Sequence, residues 1–101
     1  MKIIKELSGM IEDEIKDAAK YARCALLHRD DHPALAELFV RLSDDEMQHM
    51  SLLHDKVVDL INTYRKDHGE PPADMLAVYE YLHNKHIEDA ADVKRLREMY
   101  K

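Results

Sequence analysis

Apolar residues recur along this chain at helical spacing almost from end to end, interrupted twice. Ile4, Leu7, Ile11, Ala18, Tyr21, Ala25 and His28 trace one face of a first segment. Leu35, Leu38, Leu42, Leu53, Val57, Leu60 and Tyr64 trace a second, at spacings of three, four or seven or their sums. Val78, Tyr79, Leu82, His86, Ala90, Val93, Leu96 and Tyr100 trace a third. That period predicts three amphipathic helices, at about 3–29, 33–67 and 72–100. The first break, Asp30-Asp31-His32-Pro33, puts aspartate where a helix start is capped and proline where a first turn tolerates it. The second, His68-Gly69-Glu70-Pro71-Pro72, ends a helix on glycine and forbids its continuation. Two softer places are Ser8-Gly9, which either starts the first helix or lies within it, and Ser43-Asp44-Asp45-Glu46, which has the form of a capping box. The apolar phase runs through Ser43 unshifted, so the second helix is expected to be continuous and roughly 50 Å long. The expectation is one all-α domain over 1–101, with the first two helices packed as an antiparallel hairpin.

Within this pattern, ionisable residues occupy apolar positions. Glu46-Met47-Gln48-His49 is a Glu-x-x-His, which puts a carboxylate and an imidazole on one helix face, between Leu42 and Leu53. Glu14 sits in the stripe of the first helix, with Tyr21 two turns further along. Residues equally far from a hairpin turn lie at the same height. Counted from Asp31, Glu14 is 17 residues back, Glu46 15 forward and His49 18 forward. At a rise of about 1.5 Å per residue they level within a few Å, so Glu14, Glu46 and His49 are expected to converge, facing inward. A lone glutamate on a helix flank is ordinarily a half-exposed surface group. Three levelled groups are harder to dismiss, because each unpaired buried charge costs several kcal/mol. No lysine or arginine occurs at the matching level of either stripe; Lys20 and Arg41 are off the face. A bound cation would supply the missing charge. Carboxylate with imidazole and no thiolate suits iron or manganese, with zinc also chemically acceptable.

Composition narrows the alternatives. A formal net charge of −6 with no basic face argues against nucleic acid as a partner. Cys24 is the only cysteine, so neither an intrachain disulfide nor a cysteine metal site can form. That fits a reducing cytoplasm. No signal peptide is recognisable at the N-terminus and no apolar run is long enough to span a bilayer, so no membrane role is expected.

One chain offers two carboxylates and one histidine at this level, half of the donor set of a di-iron helical bundle. A homodimer or higher homo-oligomer would complete it, two iron ions being shared between two subunits. Glu14, then Tyr21, then Glu46-x-x-His49 on the next helix resembles one half of a ferritin-like or rubrerythrin-type protein over about residues 4 to 64. The short chain is most similar to half-length ferritins, encapsulated ferritins among them, in which two subunits build one four-helix bundle. The resemblance implies ferroxidase chemistry, Fe(II) to Fe(III) with oxygen or peroxide as acceptor. It makes Glu14 and His49 terminal ligands, Glu46 the bridge and Tyr21 a hydrogen-bond donor behind them. Paired Cys-x-x-Cys motifs are missing, so built-in electron transfer is not expected. The third helix is expected to run to the last residue, leaving no tail that addresses a shell. Mineral storage by so short a subunit would need a shell or storage partner. Two other functions fit the same residues: a helical oligomeric interaction module with a structural or vestigial metal site, and an oxygen or peroxide sensor without turnover.

On the third helix, Glu80-x-x-His83 repeats the motif. Levelling puts it roughly 10–15 Å from Glu46 along the axis, so it is expected to be solvated or interfacial. His86 and Asp89 lie nearer the level and read either as hydrogen-bond partners behind the ligands or, the favoured reading, as interface polar groups. His28, His32, His54 and His68 read as helix-end or water-facing residues.

Overall fold

The computed structural model describes residues 2–101. It is all-α: α1 spans Lys2–His28, α2 Pro33–His68 and α3 Ala73–Tyr100. The ends fall within a residue of the positions the apolar period predicts. α1 runs unbroken through Ser8 and Gly9, and α2 runs unbroken through Ser43. The punctuation differs in one respect. His32, not an aspartate, is the N-cap of α2, without a side-chain cap bond; Pro33 follows it. Asp31 instead faces back, its Oδ1 3.4 Å from His28 Nδ1. Gly69 closes α2 as expected, at φ 80°, with its amide donating to the Arg65 carbonyl at 2.9 Å. A side chain there would be strained.

The three helices form a rod of 56 × 18 × 18 Å. α1 packs along α2 over most of its length and more briefly along α3, whereas the α2 and α3 backbones approach each other at few points. Toward the turn, the α1–α2 seam is built from small residues. Ala18, Ala22 and Ala25 of α1 meet Ala36 and Ser43 of α2, all five fully or almost fully buried. Small side chains let the backbones approach, and the Ser43 hydroxyl donates to the Ala18 carbonyl at 2.8 Å. That bond satisfies a hydroxyl that would otherwise be buried without a partner. Further along, Ile11, Ile15, Ala18 and Val93 form the three-helix core, joined by Met47, Met50, Leu53 and Val57. α3 is tied down at intervals. Lys85 donates to Glu12 at 2.8 Å, and Arg97 pairs with Asp44 through both carboxylate oxygens. Arg29, just past α1, donates to the last carbonyls of α3, at Met99 and Tyr100. Those carbonyls have no partner within the helix, and a cation there also suits its negative end.

The apolar stripes are not all covered. Only Ala36 and Ser43 of α2 are buried. Leu35 and Leu38, expected in its core, are 39% and 47% exposed. Val78, expected in the stripe of α3, is also exposed, while its neighbour Tyr79 is buried. A helix in a three-helix chain can turn its whole apolar stripe inward only if neighbours flank it on both sides. α2 has α1 against it and α3 on one flank, and its other flank is open.

Candidate metal centre

Two pairs of acids set the geometry. Glu12 and Glu14 are two residues apart on α1, about 200° round the helix from each other. Glu12 reaches Lys85 of α3, so Glu14 points to the opposite flank. Asp44 and Glu46 repeat this on α2: Asp44 binds Arg97 of α3, and Glu46 points away. The hairpin thus carries Glu14 and Glu46 together on the flank that α3 leaves uncovered. His49, one turn beyond Glu46, joins them. Ligand atoms of Glu14, Glu46 and His49 all lie within 4.8 Å of one another, and among the described residues they form the only such group of three or more. His49 Nδ1 is 3.4 Å from Glu14 Oε2 and 3.9 Å from Glu46 Oε2. Hairpin levelling places these three together, and they are together.

They are less enclosed than expected. The side chains of Glu14 and Glu46 are 26% and 20% exposed, and that of His49 is 55% exposed. The site is shallow and lies at the surface, with His49 its most exposed member.

Its electrostatics are those of two carboxylates sharing too little charge compensation. A hydrogen bond to Glu14, made possible by a proton on one of the two carboxyls, raises the pKa of Glu46 to about 7. Burial and the Glu14 charge push the same way, Asp17 adds to them, and His49 opposes them. Without that proton, Glu14 Oε2 is a buried oxygen with no hydrogen-bond partner. Two like charges at contact cannot both ionise cheaply; either a proton or a cation must bridge them. No lysine or arginine pairs with Glu14 or Glu46 among the described residues.

The Tyr21 ring stacks on Phe39, centroids 6.2 Å apart, as part of the packing between α1 and α2.

The histidines of α3 lie at its contacts with the hairpin. His86 is buried, 6% exposed, in line with its position in the apolar stripe. Burial pushes its pKa below the usual range, against the opposing pull of Glu12 and Asp89. His83 is exposed and interfacial: its Nδ1 lies 3.2 Å from Nε2 of His54 on α2. His54, read from the sequence as a residue facing water, faces α3. A levelling count finds this pair as well. His54 is eight residues beyond Glu46, about 12 Å along the axis, which is the displacement expected for His83.

No helix among the described residues is long and apolar enough to cross a membrane. No family model, no curated protein and no solved structure matches the chain.

Proposed function

We propose that this chain is a ferritin-like iron-handling protein whose metal centre is completed by a second copy. The observation that carries the reading is the convergence of Glu14, Glu46 and His49 within 4.8 Å, with no lysine or arginine paired to the two acids among the described residues. Oxygen and imidazole donors without thiolate suit Fe(II), and they accept manganese and zinc. In this reading Glu14 and His49 would hold the iron as terminal ligands and Glu46 would be the carboxylate shared between ions. One chain supplies half of the six-residue donor set of a di-iron bundle. The site's open outer side and the uncovered leucines of α2, Leu35 and Leu38, lie where a two-fold partner would supply the other half. Pairing two hairpins would also bury that apolar flank in a four-helix bundle.

The chemistry proposed is oxidation of Fe(II), the substrate, to Fe(III), with oxygen or peroxide taking the electrons. The protein's part is to gather two ferrous ions against shared carboxylates. Binding must displace the proton held between Glu14 and Glu46, so affinity should rise with pH through about 7. Anionic donors favour Fe(III) over Fe(II), which lowers the barrier to losing an electron.

The test joins mass-resolved association with kinetics. Wild type should dimerise, bind two Fe(II) per dimer and oxidise it faster than iron alone in buffer. A strict monomer binding iron stoichiometrically removes the shared-site reading, and oxidation no faster than buffer removes the ferroxidase. The uncovered leucine flank also favours a second reading, a helical interaction module. In that reading the dimer forms, but Fe(II) binding is absent and Glu46→Ala leaves every property of the dimer unchanged.

A further inference from the structure

On the other side of α2, beneath α3, lies a second concentration of metal-binding side chains that the iron-handling reading does not use. His54 Nε2 and His83 Nδ1 stand 3.2 Å apart, their rings stacked with centroids at 5.0 Å. Two imidazole nitrogens at about 2.0–2.1 Å from one ion are separated by roughly 2.9–3.4 Å for ligand angles between square and tetrahedral. The pair therefore already has the bite of a chelate. Between two neutral imidazoles the same separation holds one proton, which an ion would replace.

His86 is the second, independent observation. It follows His83 by three residues, on the same face of α3. It is 94% buried, taking its 6% exposure from the whole, and its Nε2 has no hydrogen-bond partner. A buried, unpaired ring nitrogen is costly unless something occupies it. Two cavities, of about 320 and 210 Å³, are both lined by His54, His83 and His86. The three imidazoles thus border the same two spaces, each large enough for an ion and its water. Their nitrogens are not all within the 4.8 Å that unites Glu14, Glu46 and His49. His54 and His83 form the bite, and His86 stands beside it on the same face of α3 as His83.

We infer that His54, His83 and His86 form a second metal site, on the opposite flank of α2 from Glu14, Glu46 and His49, that takes a single divalent transition ion of the zinc, copper, nickel or cobalt type. Imidazole-rich donors select these ions, whereas the carboxylate-rich site selects iron and manganese. The site is contained in one chain and does not rest on dimerisation or on iron chemistry.

The probes are Zn(II) and Co(II), added to metal-free full-length protein and to two double variants. In Glu14→Gln/Glu46→Gln, which disarms the acidic site, one Zn(II) per chain should still bind. Co(II) should give the visible bands of a nitrogen-ligated ion. In His54→Gln/His83→Gln, Zn(II) affinity at this site should fall at least 100-fold, while Fe(II) binding at the acidic site is kept. His86→Asn should weaken Zn(II) by about tenfold. Paramagnetic Co(II) should broaden the ring-proton NMR signals of His54, His83 and His86 and spare His32 and His68, a readout that needs no variant to fold. The inference is overturned if the Glu14→Gln/Glu46→Gln protein, helical by circular dichroism, binds no stoichiometric Zn(II). It is also overturned if Co(II) leaves those three histidine signals sharp. Loss of Fe(II) binding alone would sink the iron reading and leave this one standing.

Discussion

The two flanks of α2 solve the same problem in opposite ways. On the flank covered by α3, apolar residues are packed, acids are paired with bases, as in Asp44 with Arg97 and Glu12 with Lys85, and the polar residues left over are imidazoles. On the uncovered flank, leucines stay exposed and two glutamates press together without a base, leaving Glu46 to hold a proton up to about pH 7. A flank finished within the chain neutralises its charges within the chain. The uncovered flank is the one on which the proposed ion and second copy would act.

Substitutions on each flank should therefore have different consequences, and the largest concerns the acids. Glu46→Ala should reduce Fe(II) oxidation by more than 100-fold in stopped-flow absorbance, with thermal stability of the metal-free protein unchanged or raised, since a repulsion is removed. Next comes the covered flank. Val93, 1% exposed, is the α3 residue of the core, and Val93→Ala should cost about 2–3 kcal/mol in urea unfolding without altering association. On the uncovered flank the outcome reverses. Leu38→Glu should weaken dimerisation at least tenfold in sedimentation, about 1.4 kcal/mol, while helicity by circular dichroism is kept. If Leu38→Glu unfolds the chain, or Val93→Ala dissociates the dimer, the division between the flanks fails.

The smallest effect is on pH dependence. The pKa of Glu46 is raised on folding, from 4.5 to about 7, so the folded chain binds its proton more tightly than the unfolded chain does. The stabilisation is fully present below about pH 4.5. It declines as the unfolded carboxyl ionises and is gone above about 7. Metal-free protein should lose on the order of 1–2 kcal/mol between pH 5 and 8 from this group, discounted for its partial exposure. Glu46→Gln should flatten that slope in chemical denaturation, and bound Fe(II) should offset it above pH 7.

Much of this was legible in the chain. The apolar period and the two proline-bearing breaks define three helices to within a residue, because long amphipathic helices impose a strict spacing. Counting from the turn brings Glu14, Glu46 and His49 together, because rise per residue is nearly constant in a tight hairpin. Leu35, Leu38 and Val78 were misplaced for a related reason: period shows which residues share a stripe, not whether a neighbour covers it. Two turns along a helix puts Tyr21 about 10 Å from Glu14, and nothing in the spacing shows that its ring stacks on Phe39. The contact of His54 with His83 needs a comparison of α2 and α3 at its own height. The burial of His86 follows from its place in the stripe of α3, but its unpaired Nε2 depends on side-chain packing, which no periodicity encodes.

The slender outline has a practical result for anyone weighing the molecule in solution. At 56 Å by 18 Å, a single copy is about three times longer than it is wide, and it tumbles and diffuses like a larger sphere. On a sizing column it should elute ahead of globular standards of its 11.8 kDa mass, where a compact pair would run. Light scattering or native mass spectrometry, which count mass and ignore shape, are what distinguish one rod from two.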